Sequence, residues 1–470
     1  MRVLVLNPPF TYPRRVIDFT RSSRSQCRSR GRVQRHPDYQ LTLVSVLKKE
    51  QHEVKFVDGS AQNLNESDVV NLLSRFDPDY TVIYATTPSI RNDVFYARLS
   101  HQLGSKTILI GPHVSAAANE VLSWGLEAIN HVVVGEYDYA VRDIINGRSS
   151  DKIVKYPLIQ SLDELPFPDW SQIDPLWYYD SVKLYPFLTV LAGRGCDWGM
   201  CNFCALPAVM YGRPARYRSS SKVVDEMEYD YSLHPQIKEI FFEDDTLTSN
   251  RERCRQICRE ILNRRLDVTW SANSRADLLD FELLTLMRKA GCRLLCVGYE
   301  SGSNNILRNV KKGLSIGTAE RFTKLCKEVG IKIHGCFMIG LPIESRKTAV
   351  ETIRYALRLG CDSIQIHGAV PCVGTEFYDY CKRNGFLVTD EWSQWLDEEG
   401  EQIALVDYSN AGGIDNSEIN AYVDYGLRAY YGRPRYWLRS LLNMRSVDDV
   451  YRLFRGAWSI FRSTKKSKGM

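Results

Sequence analysis

The chain has 470 residues, 44% hydrophobic and 25% charged; this composition excludes a disordered, collagen-like or coiled-coil protein and predicts two to four domains with ample core. No run approaches the ~18 apolar residues of a spanning helix, and the opening Val3-Leu4-Val5-Leu6 breaks at Asn7-Pro8-Pro9, so neither a signal peptide nor a membrane span is expected. The net charge of +5 hides an asymmetry: residues 14–36 carry +7, residues 428–470 carry +9 and residues 37–427 carry −12.

In chain order, the first 150 residues alternate short apolar runs with amphipathic stretches, the pattern of a doubly wound α/β domain. Strands are predicted over 2–6, 53–57, 80–85, 107–110 and 131–134, and helices over 41–49, 66–75, 92–103 and 116–124. Small or polar residues follow the strands at Asn7-Pro8, Asp58-Gly59, Thr86-Thr87, Gly111-Pro112-His113 and Gly135-Glu136. In an open parallel sheet these loops line one ligand crevice. Residues 151–186, rich in proline and without periodicity, read as an ordered linker. From 187 to 385 the alternation resumes, with strands over 188–191, 239–243, 269–272, 294–298, 332–338 and 363–369 and helices over 222–234, 251–264, 281–290, 316–328 and 346–359. Six strands with helical crossovers predict a full or partial parallel barrel. Residues 386–470 show no clear strands and end in a basic, partly helical tail.

Thirteen cysteines, an odd number without a secretory signal, argue for a reducing, cytoplasmic setting and for metal binding or chemistry. Three are clustered in Gly193-Arg194-Gly195-Cys196-Asp197-Trp198-Gly199-Met200-Cys201-Asn202-Phe203-Cys204, on a Gly-bearing loop after the first strand of the second domain, where they can converge on one metal centre. Structural zinc wants four protein ligands, and no nearby His or Cys completes a set. Three thiolates suit a four-iron cluster with one iron left open. Cys254, Cys258, Cys292 and Cys296 read as buried apolar thiols, while Cys336 and Cys372, near predicted strand ends, stay open.

This segment resembles the radical S-adenosylmethionine (SAM) superfamily, in which three Cys hold a [4Fe-4S] cluster and SAM chelates the fourth iron. The spacing, C-x4-C-x2-C, is one residue longer on its first side than the family's commonest C-x3-C-x2-C and reads as a loop insertion. Phe242-Glu243-Asp244-Asp245, Ser271-Ala272-Asn273-Ser274-Arg275, Gly298-Tyr299-Glu300-Ser301-Gly302 and Gly340-Leu341-Pro342 resemble the family's next strand ends in order. The resemblance implies that Cys196, Cys201 and Cys204 hold the cluster and that Phe203, Asp244, Ser274, Arg275, Glu300, Ser301 and Gly340 contact SAM. Arg275 is the natural partner for the SAM carboxylate, and Glu300, Asp244 and Ser274 can accept from its amine and ribose hydroxyls. Each also reads as a buried barrel residue with a structural hydrogen bond.

Leu4-Val5-Leu6-Asn7-Pro8-Pro9, Ile110-Gly111-Pro112-His113 and Val134-Gly135-Glu136 resemble the cobalamin-binding domain of B12-dependent members. The implied fold is α/β: a Rossmann-like cobalamin domain over 1–150, a partial (β/α)6 radical SAM barrel over 187–385 and a small, mostly helical C-terminal region. Asn7, Pro8, Thr86, Thr87, Gly111, His113, Gly135 and Glu136 would surround the corrin or its nucleotide tail. The Asp-x-His-x-x-Gly signature is absent, so His113 is expected near the corrin rather than on cobalt; a domain that has lost its cofactor is the alternative.

The implied activity is radical cleavage of SAM followed by methyl transfer from methylcobalamin to an unactivated carbon, with an external electron donor such as flavodoxin or ferredoxin. A radical cyclisation, oxidation or rearrangement and a non-catalytic cobalamin or cluster sensor are the rivals. The Arg-rich 14–36 stretch reads either as a receptor for an anionic substrate headgroup or as a solvated loop. The tail, Pro434 onward, interleaves cations with Trp437, Phe454, Trp458 and Phe461. It reads either as a peripheral contact with the inner membrane surface, favouring a lipid-like substrate, or as a helix packed on the acidic body. Nucleic acid is not an expected partner.

Overall fold

The computed structural model describes residues 1–11, 16–21, 26–27, 33–277, 280–434 and 436–438. Its framework is two six-stranded parallel sheets, one after the other in the chain.

The first sheet holds β1 (Arg2–Asn7), β2 (Glu53–Asp58), β3 (Tyr80–Tyr84), β4 (Lys106–Ile110), β5 (His131–Val134) and β6 (Ile153–Lys155), in the order β2-β1-β3-β4-β5-β6. The apolar runs of β1 and β3 are buried along nearly their whole length, as a sheet covered on both faces requires. The crossovers are α1 (Asp38–Lys49), α2 (Glu66–Phe76), α3 (Ile90–Gln102), α4 (Pro112–Gly125) and α5 (Asp138–Ile145). The Asn65–Asp68 capping box fixes the start of α2. Strand order reverses between β1 and β3, which places a crevice at their carboxyl ends. The predicted helix over 116–124 starts four residues earlier and kinks at Ala117 (φ −134°, ψ 37°). Both α5 and β6 escaped the sequence reading. The three-residue β6 falls within the stretch expected as linker; it buries only Val154 and offers no periodicity to read.

The second sheet holds β7 (Phe187–Val190), β8 (Glu239–Phe242), β9 (Trp270–Ser274), β10 (Cys292–Glu300), β11 (Lys332–Ile339) and β12 (Ser363–Gly368), in strictly sequential order from β7 to β12. Helices α6 (Ser220–Leu233), α7 (Arg251–Asn263), α8 (Phe281–Lys289), α9 (Asn304–Asn309), α10 (Ile316–Val329) and α11 (Arg346–Leu359) connect them. β7 and β12 remain as edges, so this is an open, partial barrel.

Both edges are covered. After α12 (Glu376–Asn384), α13 (Asn416–Tyr431) lies along β12, where the Tyr431 hydroxyl accepts from Ile364 N at 3.0 Å and donates to Ile364 O at 2.6 Å. Along β7 runs the end of the Arg-rich segment. Gln34 N donates to Tyr179 O at 2.8 Å, and the His36 ring stands 4.7 Å from Phe187 and 4.6 Å from Tyr178. Among the described residues no helix is long and apolar enough to cross a membrane. The predicted amphipathic tail lies almost wholly outside the described residues; its first aromatics, Tyr436 and Trp437, pack back on Tyr431.

Candidate active site

The cysteine loop leaves β7 and returns through a two-residue antiparallel pairing of Gly193–Arg194 with Arg216–Tyr217. Its shape depends on Gly195 (φ 88°) and Gly199 (φ 46°), whose N–H approaches Cys196 Sγ at 3.4 Å. The loop is pinned to the turn after α9. Trp198 Nε1 donates to Lys311 O at 2.8 Å, and Asn202 donates from N to Val310 O at 3.3 Å and from Nδ2 to Asn309 O at 3.2 Å. A Cβ on Gly313 would stand 2.2 Å from the Trp198 ring.

Cys196, Cys201 and Cys204 are half-buried free thiols. Burial pushes the Cys204 thiol up; it does the same to Cys201, against the pull of Lys312 and Arg275. Among the described residues no three His, Cys, Asp or Glu side chains are gathered around a single ion. A cuboidal cluster instead takes each thiolate on a different iron, and three thiolates beside two cations fit it.

Against the cysteine loop, around Trp198, stand Arg275, Lys312 and Glu300. Lys312 Nζ donates to Glu300 Oε1 at 2.7 Å, and both side chains are about nine-tenths buried. Burial would lower Lys312, yet Glu300 and Cys201 hold its ammonium above the ordinary value. Glu300 follows a bulge in β10 and has φ 61°, a left-handed backbone that costs on the order of 1 kcal/mol in a non-glycine residue. Arg275 lies 4.8 Å from the Trp198 ring and is held by Asp277 at 3.0 and 2.6 Å and by Lys312 O at 2.9 Å. Lys312 escaped the sequence reading; the Lys311-Lys312-Gly313 run twelve residues after Glu300 is the signal that was there to be read.

The remaining predicted SAM residues divide. Asp244 Oδ1 accepts from Ala192 N at 2.7 Å, and Ser274 Oγ meets Thr248 Oγ1 at 3.0 Å; both sit at neighbouring strand ends. Phe203, half-buried, packs on the main core. Ser301 turns away, toward Thr352 Oγ1 at 3.2 Å on α11. Gly340 N donates to Glu344 Oε2 at 3.1 Å, and burial raises the Glu344 carboxyl to about 7. Cys254, Cys258 and Cys292 are buried; Cys296, Cys336 and Cys372 are half-buried.

At the first sheet's carboxyl ends, Asn7, Pro8, Thr86, Thr87, Gly111 and His113 lie together. Arg21 crosses them, donating to Pro8 O and pairing with Asp93 at 2.9 Å, and Thr87 N donates to Gln26 Oε1 at 3.2 Å. Gly111 (φ 110°) is obligatory, since a Cβ would stand 2.7 Å from Ala85 O. His113 Nδ1 meets Thr87 Oγ1 at 3.2 Å, while its Nε2 is buried without a partner, and burial lowers its pKa to about 4. A buried imidazole nitrogen left unpaired fits a crevice that receives a polar ligand group. Gly135 N donates to Ser115 Oγ at 3.0 Å.

Glu136 departs from the group. Its carboxylate faces the barrel, accepting from Arg216 at 2.7 and 2.9 Å, Arg194 at 3.3 Å and Ile159 N at 2.7 Å. It joins the two sheets rather than lining the crevice.

Residues 190–406 match the radical SAM superfamily. Over 415 residues the chain is 30% identical to an uncharacterized methyltransferase of Pyrococcus horikoshii, covering 83% of this chain and 88% of that one. A cytidylyl-2-hydroxyethylphosphonate methyltransferase of Streptomyces wedmorensis is 25% identical over 75% of this chain and 76% of its own. An anaerobic magnesium-protoporphyrin IX monomethyl ester cyclase of Rubrivivax gelatinosus is 28% identical over 65% of this chain and 58% of its own. Among solved structures, the radical S-adenosylmethionine methyltransferase TsrM of Kitasatospora setae, with cobalamin and a [4Fe-4S] cluster bound, superposes over 100% of both chains with a TM-score of 0.67 at 16% identity.

Proposed function

The chain belongs to the radical SAM superfamily, and we propose that it is a cobalamin-dependent enzyme that methylates an unactivated carbon of a small molecule. The observation that carries this is the seat of the cysteine loop: Trp198 donates to Lys311 O and lies under Arg275, which binds Lys312 O beside the Glu300–Lys312 pair. When bound, a four-iron cluster supplies the electron that cleaves SAM to the 5′-deoxyadenosyl radical, and cobalamin supplies a methyl carrier.

The chain's own residues bind and orient. Cys196, Cys201 and Cys204 hold the cluster. Lys312 and Arg275 receive the aminoacyl carboxylate of SAM, and Glu300 accepts from its ammonium. Asp244 and Ser274 take the ribose side. Asn7, Pro8, Thr86, Thr87, Gly111, His113 and Gly135 form the cobalamin crevice, with Arg21 and Gln26 across its mouth and His113 neutral beside the corrin. A flavodoxin or ferredoxin serves as electron donor.

The test is anaerobic reconstitution with iron, sulfide, cobalamin, SAM and a reductant. 5′-Deoxyadenosine and S-adenosylhomocysteine are expected, and neither forms if the chain is a sensor. The cyclase relative favours a second outcome at the same site, and product mass separates them: methyl transfer adds one methylene, ring closure removes two hydrogens.

A further inference from the structure

Between α12 and α13 the chain leaves the barrel and returns. Leu387 bridges Val406 and Leu396 bridges Gln402, both antiparallel, so residues 387–406 form a long, narrow loop. Its turn, Trp392–Trp395, rests on the first domain. Arg91, at the start of α3, donates from Nε and Nη2 to Glu391 at 2.8 and 2.9 Å, and Trp392 Nε1 donates to Glu120 Oε1 of α4 at 3.2 Å. One residue past Trp395, Leu396 packs with Phe10, Ile17 and Phe19 in the stretch that follows β1. The loop therefore spans from α3 and α4 to the end of β1, across the strand ends where Asn7, Thr86, Thr87 and His113 lie.

Within that span two buried nitrogens have no hydrogen-bond partner, His113 Nε2 and Trp395 Nε1, on residues 1% and 2% exposed. The Trp392 ring meets both edge to face, its centroid 5.6 Å from His113 and 5.5 Å from Trp395. Buried polar atoms in native proteins are paired, so two orphans on one ring call for a ligand's polar atoms. Their chemistry narrows that ligand. An indole N–H only donates, and burial keeps the imidazole neutral, so neither nitrogen brings the charge that favours a phosphate. A corrin ring carries neutral carboxamides around its rim. Their carbonyl takes an indole proton, and carbonyl or amide N–H matches either tautomer of the imidazole.

We propose that the Trp392–Trp395 turn is the outer wall of the cobalamin site and grips the corrin by its amide rim. Trp395 Nε1 donates to one side-chain carboxamide, His113 Nε2 bonds a second, and the Trp392 ring packs between them. This rests on the reading of the first domain as a cobalamin site and adds to it a segment from the far end of the chain.

The test uses hydroxocobalamin and cobinamide, which keeps the corrin and its amides but lacks the nucleotide tail. Their affinities for the cluster-loaded, full-length protein are measured by anaerobic equilibrium dialysis. Trp395→Phe keeps a ring in place and loses the donor; it weakens both ligands by the same factor, roughly two- to tenfold. A loss confined to hydroxocobalamin, or no loss for either ligand, overturns the assignment. So does a wild type that holds hydroxocobalamin and not cobinamide, which puts recognition in the tail. Amide hydrogen exchange on the wild type needs no variant: residues 389–403 exchange more slowly once hydroxocobalamin is loaded. Unchanged exchange there, with slowing in the loops after β1, β3 and β4, removes the wall alone. A wild type that binds neither ligand removes the cobalamin reading itself.

Discussion

Replacing Glu136 by Gln removes the anion at the centre of the junction between the two sheets. In the wild type, two cations, Arg194 and Arg216, face two carboxylates, Glu136 and Asp138, and all four side chains are less than one-tenth exposed. After the substitution Arg194 keeps Asp138 at 2.6 Å, but Arg216 retains only the carbonyls of Ile159 at 2.5 Å and Tyr211 at 3.2 Å. A buried guanidinium with neutral acceptors alone is the case of a broken buried pair, about 3–5 kcal/mol. The lower end applies here because the Gln carbonyl can still accept one bond. With an m-value near ~3 kcal/mol/M in urea, a 3 kcal/mol loss lowers the unfolding midpoint by about 1 M. Glu136→Met combined with Arg216→Met is expected to recover most of the loss, since an apolar pair leaves no orphaned charge. The effect depends on pH. Burial opposes ionisation, but Arg194 and Arg216 hold the Glu136 carboxyl below its ordinary value. The stabilisation is thus complete above the ordinary carboxylate range and vanishes as pH falls through the depressed value, where wild type and E136Q converge. Urea titrations at neutral and acid pH decide. A single-mutant cost under ~0.5 kcal/mol, the range of ordinary surface changes, would falsify the argument, as would a double mutant no better than the single.

Lys312→Met is expected to remove about 1.5–3 kcal/mol of SAM binding, roughly a 10- to 100-fold rise in Kd, while iron and sulfide content stay as in the wild type. Full SAM affinity in that variant would remove Lys312 from the site. Alanine at Cys196, Cys201 or Cys204 abolishes cluster retention and 5′-deoxyadenosine formation, whereas alanine at the buried Cys254 or Cys258 leaves both in place; iron analysis and the visible spectrum check this pair of outcomes. Gly313→Ala drives a Cβ into the Trp198 ring from a left-handed backbone (φ +66°), so the cysteine loop loses its seat and cluster content falls. His113 and His334 are neutral in the fold because burial lowers both to about 4. Unfolded imidazoles protonate near ~6.5, so the stability these residues confer is present above that pH and is lost as pH falls toward 4, by roughly 1 kcal/mol each between pH 7 and 5.5. His113→Gln is expected to flatten that part of the stability profile.

Parallel α/β architecture writes itself plainly into a sequence. Buried strands such as β1 and β3 are near-continuous apolar runs, and helices such as α2 and α11 announce themselves with Asn or Ser caps. What stayed hidden was set by contacts distant in sequence. β6 is a strand because β5 pairs with it, and its own three residues carry no pattern. The cover on β7 comes from contacts such as the backbone bond from Gln34 to Tyr179, 145 positions apart, and the His36 ring on Phe187, and no local signal specifies them.

The same contrast governs the site. Gly135-Glu136 and Tyr299-Glu300 look alike as sequence, each a carboxylate ending or following a parallel strand, and both read as ligand contacts. The folded chain separates them by what faces each one. Glu136 meets two arginines that belong to the opposite sheet's loop, with every oxygen engaged by this chain's own donors, so the carboxylate binds the two halves together. Glu300 meets one lysine, supplied twelve residues later by its own crossover, on a left-handed backbone. A strand-end carboxylate matched by two guanidinium groups is electrostatically complete. One that shares a single ammonium, next to a second cation already turned toward its own carboxylate, keeps lone pairs for a ligand's ammonium and leaves the lysine's remaining protons for that ligand's carboxylate. Under the proposed function a zwitterionic aminoacyl group would supply both at once, with Arg275 beside the lysine, and the Glu300–Lys312 pair would be the core of the recognition unit.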